Sequence, residues 1–352
     1  MEDNKLSTQQ ASPKKRGKWL LYLIAGILVI SAVAFVAYKY LCDDGVIGGT
    51  PDIEEETEPV DAPKGRMTFV IDMSVGDVSQ SADEEKERAL AIICTRLKRF
   101  GVSCPTVQKV EGQMGHYMVE LPVVEEPERV RKLIVTPGNL EFWETYNVNE
   151  LQQELSELNS ALSAKAQLGG KESSCPLCEV LNIAMSFGCM MGVAEDTAAV
   201  NDLINSFEAK QILPSDLKFL WGAKPVAENE VCFPLYAIRT RGANGKAPLS
   251  GEYLTKVEPD SDTLGRPCIS MKMNSEGAAR WAMLTERNIG RAIAIVIDGT
   301  VFYAPNVLSK IEGGNMQITG VFTVDDTKDL ANILQSGKLP VPVRIVQESI
   351  VE

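Results

Sequence analysis

Hydrophobic patterning divides the 352 residues into three regimes. Trp19 to Tyr38 (WLLYLIAGILVISAVAFVAY) is a run of twenty residues without a charge. At about 1.5 Å of rise per residue it matches a bilayer core of about 30 Å, which predicts a membrane-spanning helix over residues 19–41. Residues 42–65 reverse the pattern, with eight acids and Pro51, Pro59 and Pro63. Self-repulsion and proline predict an extended acidic linker. From Arg66 onward, short segments with period 2 or 3.6 alternate with glycine and proline punctuation, as in a globular α+β chain.

In that last regime, Thr68 to Met73 alternates as a strand. Asp83 to Phe100 reads as a helix with Leu90, Ile93, Leu97 and Phe100 on one face and Gly101 as its stop. Thr106–Val110 and His116–Leu121 are strands around Glu111-Gly112, Pro127–Ile134 is a short helix, and Asn139–Tyr146 reads as a strand. Strand, helix, strand, strand, helix, strand is the split βαβ, ferredoxin-like order. Val148–Leu168 is helical, with Leu151, Leu155, Leu158 and Leu162 in a stripe too short for a coiled coil, so packing on its own domain is the preferred reading. Val193–Phe207 reads as another helix, and Lys218–Trp221 and Phe233–Arg239 as strands. Cys268–Met273 is a strand, followed by a helix over Glu276–Asn288 that aligns Ala278, Ala282 and Thr285. Ala292–Ile297, Asp298-Gly299 and Val301–Ala304 form a hairpin, because Asp-Gly suits the positive φ of a type I′ turn, and Pro305 ends it. Gly313-Gly314 and Ile318–Gly320 supply a second turn and a short strand, Thr323 caps a last helix ending at Gly337, and Val341–Val346 is the final strand.

Charge and rare residues narrow the chemistry. Lys and Arg number 35 against 48 acids, a net charge of −13 with no footprint for nucleic acid. A single histidine, His116, argues against a serine triad or a histidine-rich metal centre, and no cofactor site is expected. Among eight cysteines, Cys175-Pro176-Leu177-Cys178 is the one reactive spacing. A local disulfide is preferred there over a thioredoxin-like motif, since no strand precedes it, and over zinc, for which Cys189 adds only a third thiolate. Cys94 and Cys104 are a second candidate pair. Asp298 in its turn needs no catalytic role, and the chain is expected not to be an enzyme.

Residues 1–18 carry five basic side chains and Asp43-Asp44 follow the apolar run, which places the amino terminus in the cytoplasm and the folded part outside it. A cleaved signal peptide with Ala32-Val33-Ala34 at its processing site is the competing reading, although the run continues apolar past that point.

Several ordered motifs carry a resemblance. Asn288–Arg291, Ala294–Val296 with Asp298-Gly299, Ala304-Pro305, Ile311 with Gly313-Gly314, Ile318–Gly320, Asp329–Ala331, Ser336-Gly337 and Leu339-Pro340 are similar to the first periplasmic domain of the SecD family. Phe100–Val102, Glu120–Pro122, Arg131–Leu133 and Leu140–Glu144 resemble the base part of that domain, and Trp221, Leu235–Ala237 and Gly245–Leu249 resemble the SecD part of SecD-SecF fusions. The family's Gly-Leu-Asp-Leu-x-Gly-Gly motif is reduced here to Val70-Ile71-Asp72-Met73 followed by Ser74-Val75-Gly76. The resemblance implies a ferredoxin-like base (66–146 with 339–352) and an inserted α+β head (147–338) behind a single inner-membrane anchor. It implies Sec translocase subunits and unfolded preproteins as partners, with Asp298, Gly299, Pro305, Gly313, Gly314 and Gly320 as candidate polypeptide-binding positions. With only one apolar run long enough to span, an accessory export factor without a proton-driven motor is expected; the alternative is an envelope scaffold unrelated to export.

Overall fold

The computed structural model describes residues 65–74, 81–103, 105–170, 173–226, 231–241, 245–320 and 322–351. The expected anchor and nearly all of the acidic linker lie outside these residues. Among the described residues no helix is long and apolar enough to cross a membrane.

The base is a four-stranded antiparallel sheet made of β1 (Arg66–Asp72), β2 (Thr106–Lys109), β3 (His116–Pro122) and a strand from the far end of the chain, Arg344–Val351. That last strand pairs with β1 from Arg66↔Val351 to Asp72↔Arg344, giving the order last strand, β1, β3, β2. Alternation in β1 puts Met67, Phe69 and Ile71 on one face, where α1 (Ser81–Phe100) and α2 (Pro127–Val135) cover them. Ala89, Ile93 and Leu97 of α1 and Val130 and Ile134 of α2 complete this core.

The sheet has the ferredoxin-like strand order, closed by the final strand, which the family resemblance assigns to the base, and not by Asn139–Tyr146, which the local strand and helix pattern offered. β4 (Leu140–Thr145) does not close the base; it is a central strand of the other sheet, paired with residues 293–297 from Ile293↔Glu144 to Ile297↔Leu140. Its burial explains the choice. Leu140, Phe142, Trp143 and Thr145 are all buried, so β4 needs cover on both faces, which an edge of the base sheet does not provide. Arg344–Val351, mostly exposed and carrying Arg344, Gln347, Glu348 and Ser349 among its apolar residues, suits an edge.

The head begins where the chain leaves α2. Its larger sheet has seven strands: β4, β5 (Met190–Ala194), β6 (Leu217–Trp221), β7 (Phe233–Arg239), β8 (Leu249–Ser250), and the hairpin of β11 (Ile293–Ile297) and β12 (Thr300–Tyr303). A smaller sheet joins β9 (Leu254–Ser261), β10 (Pro267–Met273) and β13 (Asn315–Ile318). The hairpin turn is as its sequence requires, with φ of 50° at Asp298 and 81° at Gly299. The third short strand, however, joins β10 rather than the hairpin.

Helices α3 (Gln152–Leu168), α4 (Pro176–Val180), α5 (Thr197–Ile204) and α6 (Phe207–Ile212) occupy the stretch between β4 and β6. The leucine stripe of α3 packs within the head, with Leu158 and Leu162 against Ala209. The single helix expected over Val193–Phe207 is instead the end of a fully buried strand and two short helices, capped by Asp196 and Ser206. Side-chain oxygens accepting from Ala199 and Ala209 make each cap a helix start. α7 (Ser275–Arg287) buries Thr285 as expected, but with Gly277, Trp281 and Leu284 in place of Ala278 and Ala282. α8 (Val324–Ser336) starts at a capping box of Thr323 and Asp326. The last strand is β14.

α8 lies between the two parts. Leu330 and Leu334 enter the head core, while Asn332 donates to the Arg96 carbonyl at 2.8 Å. On the head side, Gln335 Oε1 accepts from the Val257 amide at 2.6 Å and occupies a donor of the β9 backbone. The Arg96 side chain of α1, wholly buried, donates to the carbonyls of Leu133, Thr136, Pro137 and Gly337 at 2.5–3.2 Å. It thereby fastens the chain both where it leaves the base and where it returns. Replacing this hub removes a buried charged donor from four carbonyls, of which Pro137 keeps the Leu339 amide at 2.8 Å. Arg96→Met is expected to lower stability in urea by roughly 3–5 kcal/mol, the cost of breaking a buried charged contact. Loss of less than about 1 kcal/mol, a neutral surface value, would show that the crossings hold without it.

Candidate functional site

The junction of base and head brings together Arg96, Asp298, Arg129 and Asp329. Burial pushes the Arg96 guanidinium down to about 10, and the charge of Asp298 opposes that fall. Asp298 sits partly buried at the tip of the hairpin, and its carboxylate accepts from the amides of Gly138 at 3.0 Å and Asn139 at 2.8 Å. The Asp298 amide in turn donates to the Asn139 carbonyl at 3.0 Å. The turn residue thus holds the outgoing crossing from the side opposite Arg96. Between them Gly138 has no room for a side chain: at φ 77°, a Cβ would lie 2.8 Å from Ile333 and 2.9 Å from the Arg96 guanidinium.

A second contact spans the junction nearer the surface. Arg129 of α2 donates through Nε and Nη2 to the two carboxylate oxygens of Asp329 on α8, at 2.8 and 2.7 Å. Both side chains are 17% exposed, and the guanidinium lies 4.9 Å from the centre of the Phe100 ring. Fork-to-fork pairing fixes orientation as well as distance. A cleft of about 670 Å³ opens beside this pair, lined by Arg99, Phe100 and Arg129 of the base, Glu258 and Pro259 of β9, and Lys328 of α8. Among the described residues no three metal-ligating side chains come together. This junction orients two bodies and offers surface; it brings no nucleophile to a base.

The sequence-predicted positions scatter around this geometry. Asp298 and Gly299 form the hairpin turn at the junction. The Pro305 carbonyl accepts from the Ile293 amide at 3.2 Å, and the Gly314 carbonyl accepts from Met273 at 2.9 Å, tying their loops to β11 and β10. Gly313 is exposed beside Gly314, and Gly320 lies against the Phe322 ring. Most of these residues fix turns and loop ends of the head. The apolar surface lies beside them. Residues 305–312 run along the end of α7, with Gly290 donating to the Val307 carbonyl at 2.8 Å and Ile311 donating to Thr285 Oγ1 at 3.0 Å. Leu308 is 90% exposed, Ile289 53% and Ile311 38%.

Cys175 and Cys178 are bonded to each other, with Cα atoms 5.2 Å apart. Cys94 carries a free thiol among the described residues, and Cys104, the other member of the second candidate pair, lies outside them. Cys189, far from serving zinc, is buried in the sheet. His116 stands on β3 with Nδ1 3.2 Å from the Met114 carbonyl. At the shortened family motif, Asp72 accepts from the Ser74 amide at 2.7 Å and the Ser74 hydroxyl at 2.5 Å, and these bonds hold its carboxyl below the usual range. Arg96 and Arg129 escaped sequence reasoning, which noted Asp329 only within a family motif and not as the partner of Arg129. The available signal was Arg96 itself, a cation inside the apolar stripe of Ile93 and Leu97.

Comparison with known proteins matches these parts. Residues 239–341 match the family described as SecDF, P1 head subdomain, and residues 86–147 match SecDF, P1 domain, N-terminal. The protein translocase subunit SecD of Rhodothermus marinus is 36% identical over 296 residues, covering 76% of this chain and 47% of that protein. SecD of Calditerrivibrio nitroreducens is 27% identical over 283 residues, covering 79% and 43%. The chain thus spans about half the length of the curated relatives it matches. A crystal structure of SecDF in a super-membrane-facing form is similar with a TM-score of 0.49 and 24% identity, covering 82% of this chain and 30% of that one.

Two buried acids of the head make its stability depend on alkaline pH. Burial pushes the Cys189 thiol up to about 11 from 9.0, and burial followed by the bond to Asp216 pushes Tyr146 up to about 12 from 10.0. Both keep their protons in the fold to higher pH than in the unfolded chain, so their contribution is full below about pH 9 and is lost as pH rises. Urea midpoints are expected to fall between pH 9 and 11, with Cys189 accounting for roughly 2 kcal/mol, and Cys189→Ala should flatten that slope. An unchanged slope in the variant would place the thiol in water.

Proposed function

This chain carries the N-terminal and head parts of a SecDF-type P1 domain, and from that premise we propose that it serves Sec-dependent protein export. It does so as a membrane-anchored periplasmic accessory that binds emerging unfolded polypeptide or docks on the translocase. The observation that carries the reading is the pair of family matches, which fall on either side of the junction fastened by Arg96. The binding surface in this reading is the exposed apolar rim of Leu308, Ile289 and Ile311, not the hairpin turn, whose aspartate already holds the Gly138 and Asn139 amides. An exposed apolar group on an acidic protein suits an apolar, unfolded segment better than a folded, charged partner. Anchoring by Trp19–Tyr38 would hold that rim on the periplasmic side, and the inner membrane, Sec subunits and preproteins are its partners in this reading.

A photoreactive amino acid at position 308 of the full chain, expressed in membranes with a stalled preprotein, is expected to crosslink to the preprotein. Leu308→Asp with Ile289→Asp should reduce binding of a reduced, unfolded polypeptide at least about tenfold, near 1.4 kcal/mol, with no loss of stability. A crosslink only to envelope proteins other than Sec subunits and preproteins would replace export with a scaffold role.

A further inference from the structure

Residues 148–238 lie between the two family matches and carry the bonded pair Cys175–Cys178. Beside the pair is a groove of about 440 Å³, within the range of peptide and ligand clefts. Val148 comes from the 3-10 turn before α3, Leu155 from the first turns of α3, Leu177 from α4 and Ile183 from the 3-10 turn after it, and the disulfide itself forms part of the wall. Every side chain lining the groove is uncharged, in a chain of net charge −13. Cys178 is exposed while Cys175 is half-buried.

The motif does not need the disulfide to keep its shape. Asn159 donates to the Ser174 carbonyl at 3.2 Å and accepts from the Leu177 amide at 3.3 Å, and the Ser163 hydroxyl donates to Ser174 at 3.2 Å. Leu177, between the two cysteines, is buried in the core with Leu181 and Met191. A bond across three positions removes little entropy from the unfolded chain, so its loss costs little stability. A disulfide that closes a short loop, exposes one of its cysteines and forms the wall of a largely apolar groove is placed for exchange rather than for stapling.

We propose that this groove captures an extended, aliphatic polypeptide segment bearing a free cysteine, which forms a mixed disulfide with Cys178. The segment's thiolate attacks Cys178 Sγ, the Cys175–Cys178 bond breaks, and its electron pair leaves on Cys175 as a thiolate that takes a proton from water. The new bond joins the segment to Cys178. Attack by Cys175 on that bond reverses the capture; attack by a second thiol of the segment releases it as a disulfide and leaves Cys175 and Cys178 reduced. The pair itself is the oxidant. Cys189, buried and with its thiol held protonated, does not compete. This site stands apart from the apolar rim of Leu308 and does not depend on a role in export.

The test uses the oxidised full chain and three thiols: a ten-residue leucine–alanine peptide with one central cysteine, the same peptide with serine–glycine flanks, and glutathione. Iodoacetamide traps released thiols, and mass spectrometry locates the adduct. The leucine–alanine peptide is expected on Cys178, with Cys175 alkylated, at least tenfold faster than either other thiol. Ser156→Tyr, a change at an exposed position of the groove, is expected to slow that peptide to the rate of the serine–glycine one while glutathione is unaffected. No adduct, an adduct on Cys175, equal rates for the three thiols, or indifference to Ser156→Tyr would each overturn the proposal. Absence of label on Cys189 in the same digest reports that every sample was folded.

Discussion

The guanidinium of Arg96 is the contact on which the two-part architecture depends. A polypeptide that leaves one core, builds another and returns must present carbonyls at both crossings, where no sheet or helix ladder satisfies them. One buried cation with a planar fork of donors answers four of them at once. The arrangement carries an electrostatic cost, visible in the lowered proton affinity of the guanidinium, and the nearby Asp298 charge offsets part of it. Asp298 is not a bonded partner of Arg96; it binds the backbone between them. Base, crossing and hairpin are therefore held in a chain of contacts in which each group has a second neighbour.

Around that centre the two cores meet through α8. Its apolar residues belong to the head, and its polar ones reach the base through Asn332 and Asp329. The interface is thus hydrogen-bonded and ionic on one side and hydrophobic on the other. Interfaces of the first kind tolerate repositioning better than fused cores do, because water can replace polar partners but cannot replace packing. The charged cleft beside Arg129 is the place where such water would enter.

Much of this was legible in the sequence, and the exceptions have physical causes. The Asp298-Gly299 turn, the helix of residues 81–100 and the ferredoxin-like order follow from local chemistry and periodicity. β4 was misplaced because two compatible strands compete for one edge, and only burial on both faces decides between Leu140–Thr145 and Arg344–Val351. β9 escaped because Leu254–Ser261 is mostly polar, with Pro259 inside it and Val257 as its one buried residue, and is held by β10 and the Gln335 side chain. The helix read over Val193–Phe207 dissolved into smaller pieces because short caps at Asp196 and Ser206 outweigh a loose apolar period. The roles of Asp298 and Gly138 were invisible for a different reason. Each depends on a partner some 160 or 40 positions away, and spacing along the chain carries no trace of it.

The pairing of Arg66 with Val351 bears on how the molecule is made. During synthesis β1 emerges early, and one of its edges stays unpaired until the whole head has been translated. The base cannot close first and wait for its insertion; the head, whose strands all lie between the two crossings, can. Topologies dominated by such distant pairings fold slowly, and an unpaired edge strand invites foreign strands meanwhile. The chain thus passes through a state in which it is itself an unfinished sheet in need of a partner strand.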